Sequence, residues 1–187
     1  MALTRRDWVR LAGWAVVACA VLGAAGRPAQ SAPEYQLKAV FLYNFAQFVE
    51  WPTGTFPAPD APLVIGVLGP DPFGSFLDAT VRGEAIDGHP VAVRRFRSIE
   101  DLTTCHILFI SRAAQPNLGE ILDRLKGRSI LTVSDADHFA SLGGMIRFVT
   151  DSNRIRLRIN LEAARAVSLK ISSKLLRPAQ IVTPGED

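Results

Sequence analysis

At 187 residues, 48% of them hydrophobic, the chain is long enough to bury the core of one domain. Its 21 Lys and Arg against 18 Asp and Glu give a formal charge of only +3, and the four arginines and single aspartate of residues 1–31 account for all of that excess. The balanced remainder has no basic tract, so nucleic acid is not expected as a partner, and its one cysteine, Cys105, rules out an intramolecular disulfide.

Residues 1–31 read as a secretory signal: a basic start through Arg10, an apolar run over 11–25, and small residues at Ala29-Gln30-Ser31 for a peptidase. The apolar run falls short of the roughly 20 residues that span a bilayer, which disfavours a retained anchor. Arg5-Arg6 also resembles a twin-arginine export motif, so either export route is open. A lipid on Cys19 is disfavoured, because the apolar run continues past it.

Residues 34–51 predict a helix halted by Pro52, with one apolar stripe of Leu37, Phe41, Phe45 and Phe48 and a second of Tyr35, Ala39, Leu42, Ala46 and Val49. Lys38 stands apart from the polar ridge of Gln36, Tyr43, Asn44, Gln47 and Glu50. The apolar arc is wider than one sheet face covers, so it is either deeply buried or a dimer or partner surface formed by Leu37, Phe41, Phe45 and Phe48. A proline-rich loop over 53–62 follows.

Three apolar runs without alternation, residues 63–68, 105–111 and 129–134, predict parallel strands buried on both faces, the middle one central. After the first, Asp71 and Pro72 predict the start of a helix that carries Phe76, Leu77 and Val81, then a turn over 85–89 and a strand over 91–96. Arg94, Arg95 and Arg97 read as a solvated strand end. Asn117 and Glu120 suggest a capping box for a helix with Leu118, Ile121, Leu122 and Leu125 inward, ended by Gly127. A helical turn is expected at 138–140. A hairpin follows, with strands at 145–149 and 154–159 turning at 151–153, and with Arg154, Arg156 and Arg158 guarding an edge. Asn160 caps residues 161–167, a further amphipathic helical segment is expected over 169–176, and Pro178 begins a polar tail. The expected fold class is α/β, a three-layer sandwich with a mainly parallel sheet and a C-terminal antiparallel hairpin.

No constellation for chemistry assembles. Cys105 and His106 are strand neighbours on opposite faces and cannot share a proton. Asp135 and His138 read as a surface pair without a third metal ligand, and His89 as a solvent-facing turn residue. The glycine-containing turn after residue 68 lacks both phosphate-loop patterns. No catalytic residue, metal or cofactor is assigned, and Cys105 is expected to be buried and inert.

Six blocks in order resemble the YfiR family: EYQLKAVFLYNF at 34–45 with FVEWP at 48–52; IGVLG at 65–69 with DPFG at 71–74; CHILFIS at 105–111; LTVSD at 131–135; GGMI at 143–146; and Ile159-Asn160 with LKISSKLL at 169–176. The resemblance implies one domain over 32–187 and a periplasmic, dimeric, non-enzymatic repressor of an inner-membrane diguanylate cyclase. It further implies contact with the cyclase's periplasmic sensor domain and sequestration by an outer-membrane lipoprotein. The family's namesake uses disulfides, from which this chain departs. The C-terminal region is implicated in repression, which points to Glu162, Leu169, Lys170 and Ile171 as partner-binding residues, with Leu175 and Leu176 either contact or core. The rival expectation is a periplasmic small-molecule sensor or carrier, using clefts after Gly69, Ser111 and Ser134 at the carboxyl ends of the parallel strands.

Overall fold

The computed structural model describes residues 32–152, 154–183 and 185; the expected leader, residues 1–31, lies outside them. In chain order the elements are α1 (Ala32–Phe48), β1 (Val49–Glu50), β2 (Leu63–Leu68), α2 (Ser75–Val81), β3 (Ala85–Ile86), β4 (His89–Phe96), β5 (Ile107–Ile110), α3 (Leu118–Leu125), β6 (Leu131–Ser134), β7 (Ile146–Asp151), β8 (Arg154–Ile159), α4 (Leu161–Ala166), β9 (Lys170–Ile171), α5 (Ser173–Leu176) and β10 (Gln180–Ile181).

An eight-stranded sheet runs β10-β8-β7-β6-β5-β2-β4-β3, with β1 and β9 forming a separate antiparallel pair. Strands β7, β6, β5, β2 and β4 are mutually parallel, and β5 sits between β2 and β6 as its uniform apolar run predicts. Every residue of β2, β5 and β6 is buried, because helices cover both faces. On one face Ile65, Val67, Ile107, Phe109, Leu131 and Val133 meet Leu42 and Phe45 of α1 and Leu77 of α2. On the other, Leu68, Leu108 and Ile110 meet Leu118, Ile121, Leu122 and Leu125 of α3. The three layers and the β7–β8 hairpin are as expected. Gly66 is required by this second face: a Cβ there would lie 2.7 Å from Cys105 Sγ and 2.9 Å from the Phe96 ring.

Several local expectations are corrected. Helix α1 ends at Phe48 rather than continuing to residue 51, because Val49 and Glu50 are drawn into pairing with Ile171 and Lys170. Asp71 accepts from the Phe73 N–H and takes Arg95, while α2 starts only after Gly74, whose positive φ of 54° turns the chain. Arg95 is therefore no idle strand end: it ties β4 to Asp71, Asp78 and the Gly74 carbonyl, and the guanidinium holds the Asp78 carboxyl below its ordinary range. Asn117 makes no side-chain cap; the capping box is at Ser98 and Asp101, in a single 3₁₀ turn. Asp87 and Gly88, both with positive φ, close a tight β3–β4 hairpin, the chemistry an Asp-Gly pair supplies.

The C-terminal third departs furthest. Residues 169–176 are not one helix: Leu169 is buried core, Lys170 and Ile171 are a strand, and only Ser173–Leu176 is helical, capped by Ser172. The polar tail supplies β10, which pairs in parallel with Arg158 and Ile159 and covers part of the arginine-bearing edge. Asn160 does cap α4, its side chain accepting from the Ala163 N–H, and Gly127 ends α3 with φ 75°. Residues 138–140 form turns, with His138 at φ 60°, and no regular helix.

Candidate functional site

Helix α1 carries its inner stripe at Lys38, Ala39, Leu42, Phe45 and Ala46, so a lysine sits in the middle of an apolar face. Its side chain is fully buried, over the Tyr35 ring and near that of Phe148. A buried ammonium is tolerable only when paired and hydrogen-bonded. Its Nζ lies 2.7 Å from both Asp135 Oδ2, at the carboxyl end of β6, and Glu34 Oε1, one turn back. Tyr35 donates to Asp135 at 2.9 Å; burial, and then the Asp135 charge, push the phenol well above its ordinary pKa. Arg112 donates twice to the Asp135 carbonyl, and Arg147 holds Asp137 at 2.6 Å.

This network corrects two expectations. Asp135 is a buried anchor rather than half of a surface pair, and exposed His138 is not its partner. The carboxyl end of β6 is filled by α1 side chains, with Ser134 buried and bonded to the Ile110 carbonyl, which closes one of the clefts expected for a small molecule. What the arrangement does chemically is clamp α1 to the sheet. Among the described residues no group of three His, Cys, Asp or Glu is placed to hold a metal.

The amino ends of the strands are closed differently. His106 is buried, and its Nδ1 accepts from the Val64 N–H at 3.0 Å, so the neutral ring carries its proton on Nε2. Burial, and then the neighbouring His89, push its pKa down to about 4. Phe56 stacks between His106 at 4.5 Å and His89 at 3.8 Å, with Trp51 edge-on to both Phe56 and His106. His89, expected to face solvent, is half-buried and bonded to the Ala61 carbonyl. Cys105 lies on the opposite sheet face from His106, in the α3-side core, where burial pushes the thiol up to about 12. Cavities of about 390 and 310 Å³ open at this end, and one of about 490 Å³ lies against the carboxyl end of β7 and the adjoining β8 and β10.

The surface residues singled out in the sequence divide. On α1, Leu37 is 48% exposed, Phe41 and Phe48 are half-buried, and Phe45 is fully enclosed, stacked on Phe148; Phe45 belongs to the core and is not available at a surface. Val40, 43% exposed, was missed, although it lies one turn from Leu37. In the C-terminal segment Leu169 is likewise core, at 1% exposure, whereas Ile171 is half-buried and Glu162 and Lys170 are exposed. The β1–β9 ribbon joins the two regions: Val49 pairs with Ile171, Glu50 with Lys170, and the Ser172 N–H donates to the Phe48 carbonyl at 2.8 Å. Phe48, Lys170 and Ile171 thus share one neighbourhood, which no local sequence signal indicated.

No helix among the described residues is long and apolar enough to cross a membrane. No curated protein matches the chain. The sequence profile of the YfiR/HmsC-like family matches residues 35–180, from the first turn of α1 into β10, and so takes in the α1 clamp, both ends of the sheet and the β1–β9 ribbon. The chain belongs to the YfiR/HmsC-like family.

Proposed function

We propose that this protein is a periplasmic, non-enzymatic repressor that binds the periplasmic sensor domain of an inner-membrane diguanylate cyclase and lowers cyclic di-GMP signalling. Family membership supports the regulatory role and the compartment. The observation that carries the placement of the contact is the β1–β9 ribbon, which sets Lys170 and Ile171 beside the end of α1. To the contact surface we assign Leu37, Val40, Phe41 and Phe48 of α1 together with Ile171, Lys170 and Glu162. Residues 1–31 act as a leader cleaved near Ser31, the α1 part of the face also serves a homodimer, and an outer-membrane lipoprotein sequesters the repressor.

The test is cellular cyclic di-GMP in strains that carry Lys170→Glu, Ile171→Asp, Glu162→Lys or Leu37→Glu, with the melting temperature of each purified variant. Lys170 is 82% exposed and its ion pair to Glu50 is long at 3.7 Å, so Lys170→Glu should change stability by less than about 0.5 kcal/mol. Folded variants that release the cyclase support the assignment; folded variants that all still repress overturn it. Light scattering of Leu37→Glu, expected to be monomeric against a dimeric parent, separates self-association from partner contact.

A further inference from the structure

We propose that the cleft at the amino ends of β5 and β6 binds a small oxyanion, the phosphate or carboxylate head of a low-molecular-weight metabolite. The cleft, about 390 Å³, is bounded by the turn after β1, the segment leading into β5 and the segment leading into β6. Its size falls at the lower end of small-molecule sites, which run from about 300 to 1,000 Å³. The lining contains Arg128 and no carboxylate among the described residues, so a bound anion meets no opposing charge in the wall. A second guanidinium reaches the same rim: Arg94 donates to the Thr103 hydroxyl at 3.2 Å, and Arg128 donates to the Thr103 carbonyl at 3.2 Å. Burial dominates the raised pKa of the neighbouring Cys105 thiol, and both arginines, as nearby positive charges, work in the opposite direction and lower it.

The donors around them suit an oxyanion. Thr53, Thr103 and Thr104 line the cleft beside Arg128, and a threonine hydroxyl can rotate to donate to an acceptor. His106 also lines it, and with Nδ1 occupied by the Val64 N–H the ring's remaining hydrogen-bonding capacity is a neutral N–H donor. Guanidinium-to-oxyanion bonds are the strong, charge-assisted kind, and Arg128 can address two anion oxygens at once. Ligands of open α/β sheets are usually held at the carboxyl ends of the strands. Here Lys38 and Asp135 occupy that end at β6, and the cleft lined by Arg128 lies at the other.

The test titrates the purified protein with inorganic phosphate and, separately, with acetate in a calorimeter, at neutral pH and constant ionic strength set by sodium chloride. Saturable binding of one of them in the micromolar to millimolar range is expected, and the stronger ligand tells a phosphate head from a carboxylate head. Arg128→Gln should weaken it at least about tenfold, and Thr104→Val by less. Arg156→Gln, on the distant hairpin, should leave it unchanged. Because Arg128→Gln also removes a bond to the Thr103 carbonyl, its melting temperature is checked, and Arg128→Lys, which keeps the charge but loses the fork, should bind with intermediate affinity. Absence of saturable binding by either anion, or equal affinity in Arg128→Gln, Arg128→Lys and the parent, overturns the proposal. Either result leaves the cyclic di-GMP experiments standing on their own.

Discussion

At the carboxyl end of β6 the protein buries an ion pair, with Lys38 and Asp135 2.7 Å apart and almost inaccessible to solvent, whereas at the amino ends of β2 and β5 it buries a neutral imidazole between aromatic rings. The first closure has strong attraction but a heavy desolvation cost, and it fails badly if one partner is lost. The second avoids charge altogether, and works only while His106 stays unprotonated. One sheet therefore has one end sensitive to mutation of a charge and another sensitive to acid. The charged end also fixes α1, the helix whose outer face is assigned to partners.

The largest break in that comparison is Lys38→Met, which strands Asp135 as an uncompensated buried anion. It should cost about 3–5 kcal/mol, a fall in melting temperature on the order of 10 °C by calorimetry. Adding Asp135→Leu should restore most of the loss, since an apolar pair of similar volume removes the stranded charge. A double variant no better than the single one would show that the network, not the pair, holds α1.

Acid tests the other end. The folded pKa of His106, about 4, lies below its ordinary value of 6.5, so the unfolded chain binds the proton more readily. Its contribution is fully present above about pH 6.5 and is lost as pH falls towards 4, for a total of up to ~3 kcal/mol. Denaturant midpoints measured across that window should fall. His106→Asn, which can still accept from the Val64 N–H, should remove this part of the slope; an unchanged slope would assign acid sensitivity elsewhere.

The smallest expected effect sharpens the first. Tyr35→Phe deletes one of the two bonds to Asp135 Oδ2 but leaves Lys38 in place, so it should cost about 1 kcal/mol in chemical denaturation. A loss as large as that of Lys38→Met would mean that Tyr35, rather than Lys38, is what makes the buried carboxylate tolerable.

The site was less legible than the fold. Asp135 directly follows a fully buried strand, and Lys38 is the one cation within the apolar part of α1, so both were visible as anomalies; their partnership across 97 residues was not. Phe45 was open between burial and a surface, and the family resemblance pointed to Leu169 as a contact; both prove to be core, because periodicity measures how much of a helix or segment is apolar, but not which apolar residues another element covers. The β1–β9 ribbon was hidden because two-residue strands have no alternation to detect, and Val49 and Glu50 were compatible with continuing the helix.

The sequence by itself determined the three apolar parallel strands, the clean inner face of α3, the β7–β8 hairpin, the Asn160 cap and the stop at Gly127. Each of these rests on side-chain pattern or on a contact within a few residues along the chain. Only the tertiary structure decided that Lys38 is buried, that His106 is a neutral acceptor for Val64, that the tail adds a strand to β8, and that Lys170 and Ile171 lie beside Phe48. Those outcomes depend on partners distant in sequence, and on whether a buried polar group finds one, a condition that local composition does not encode.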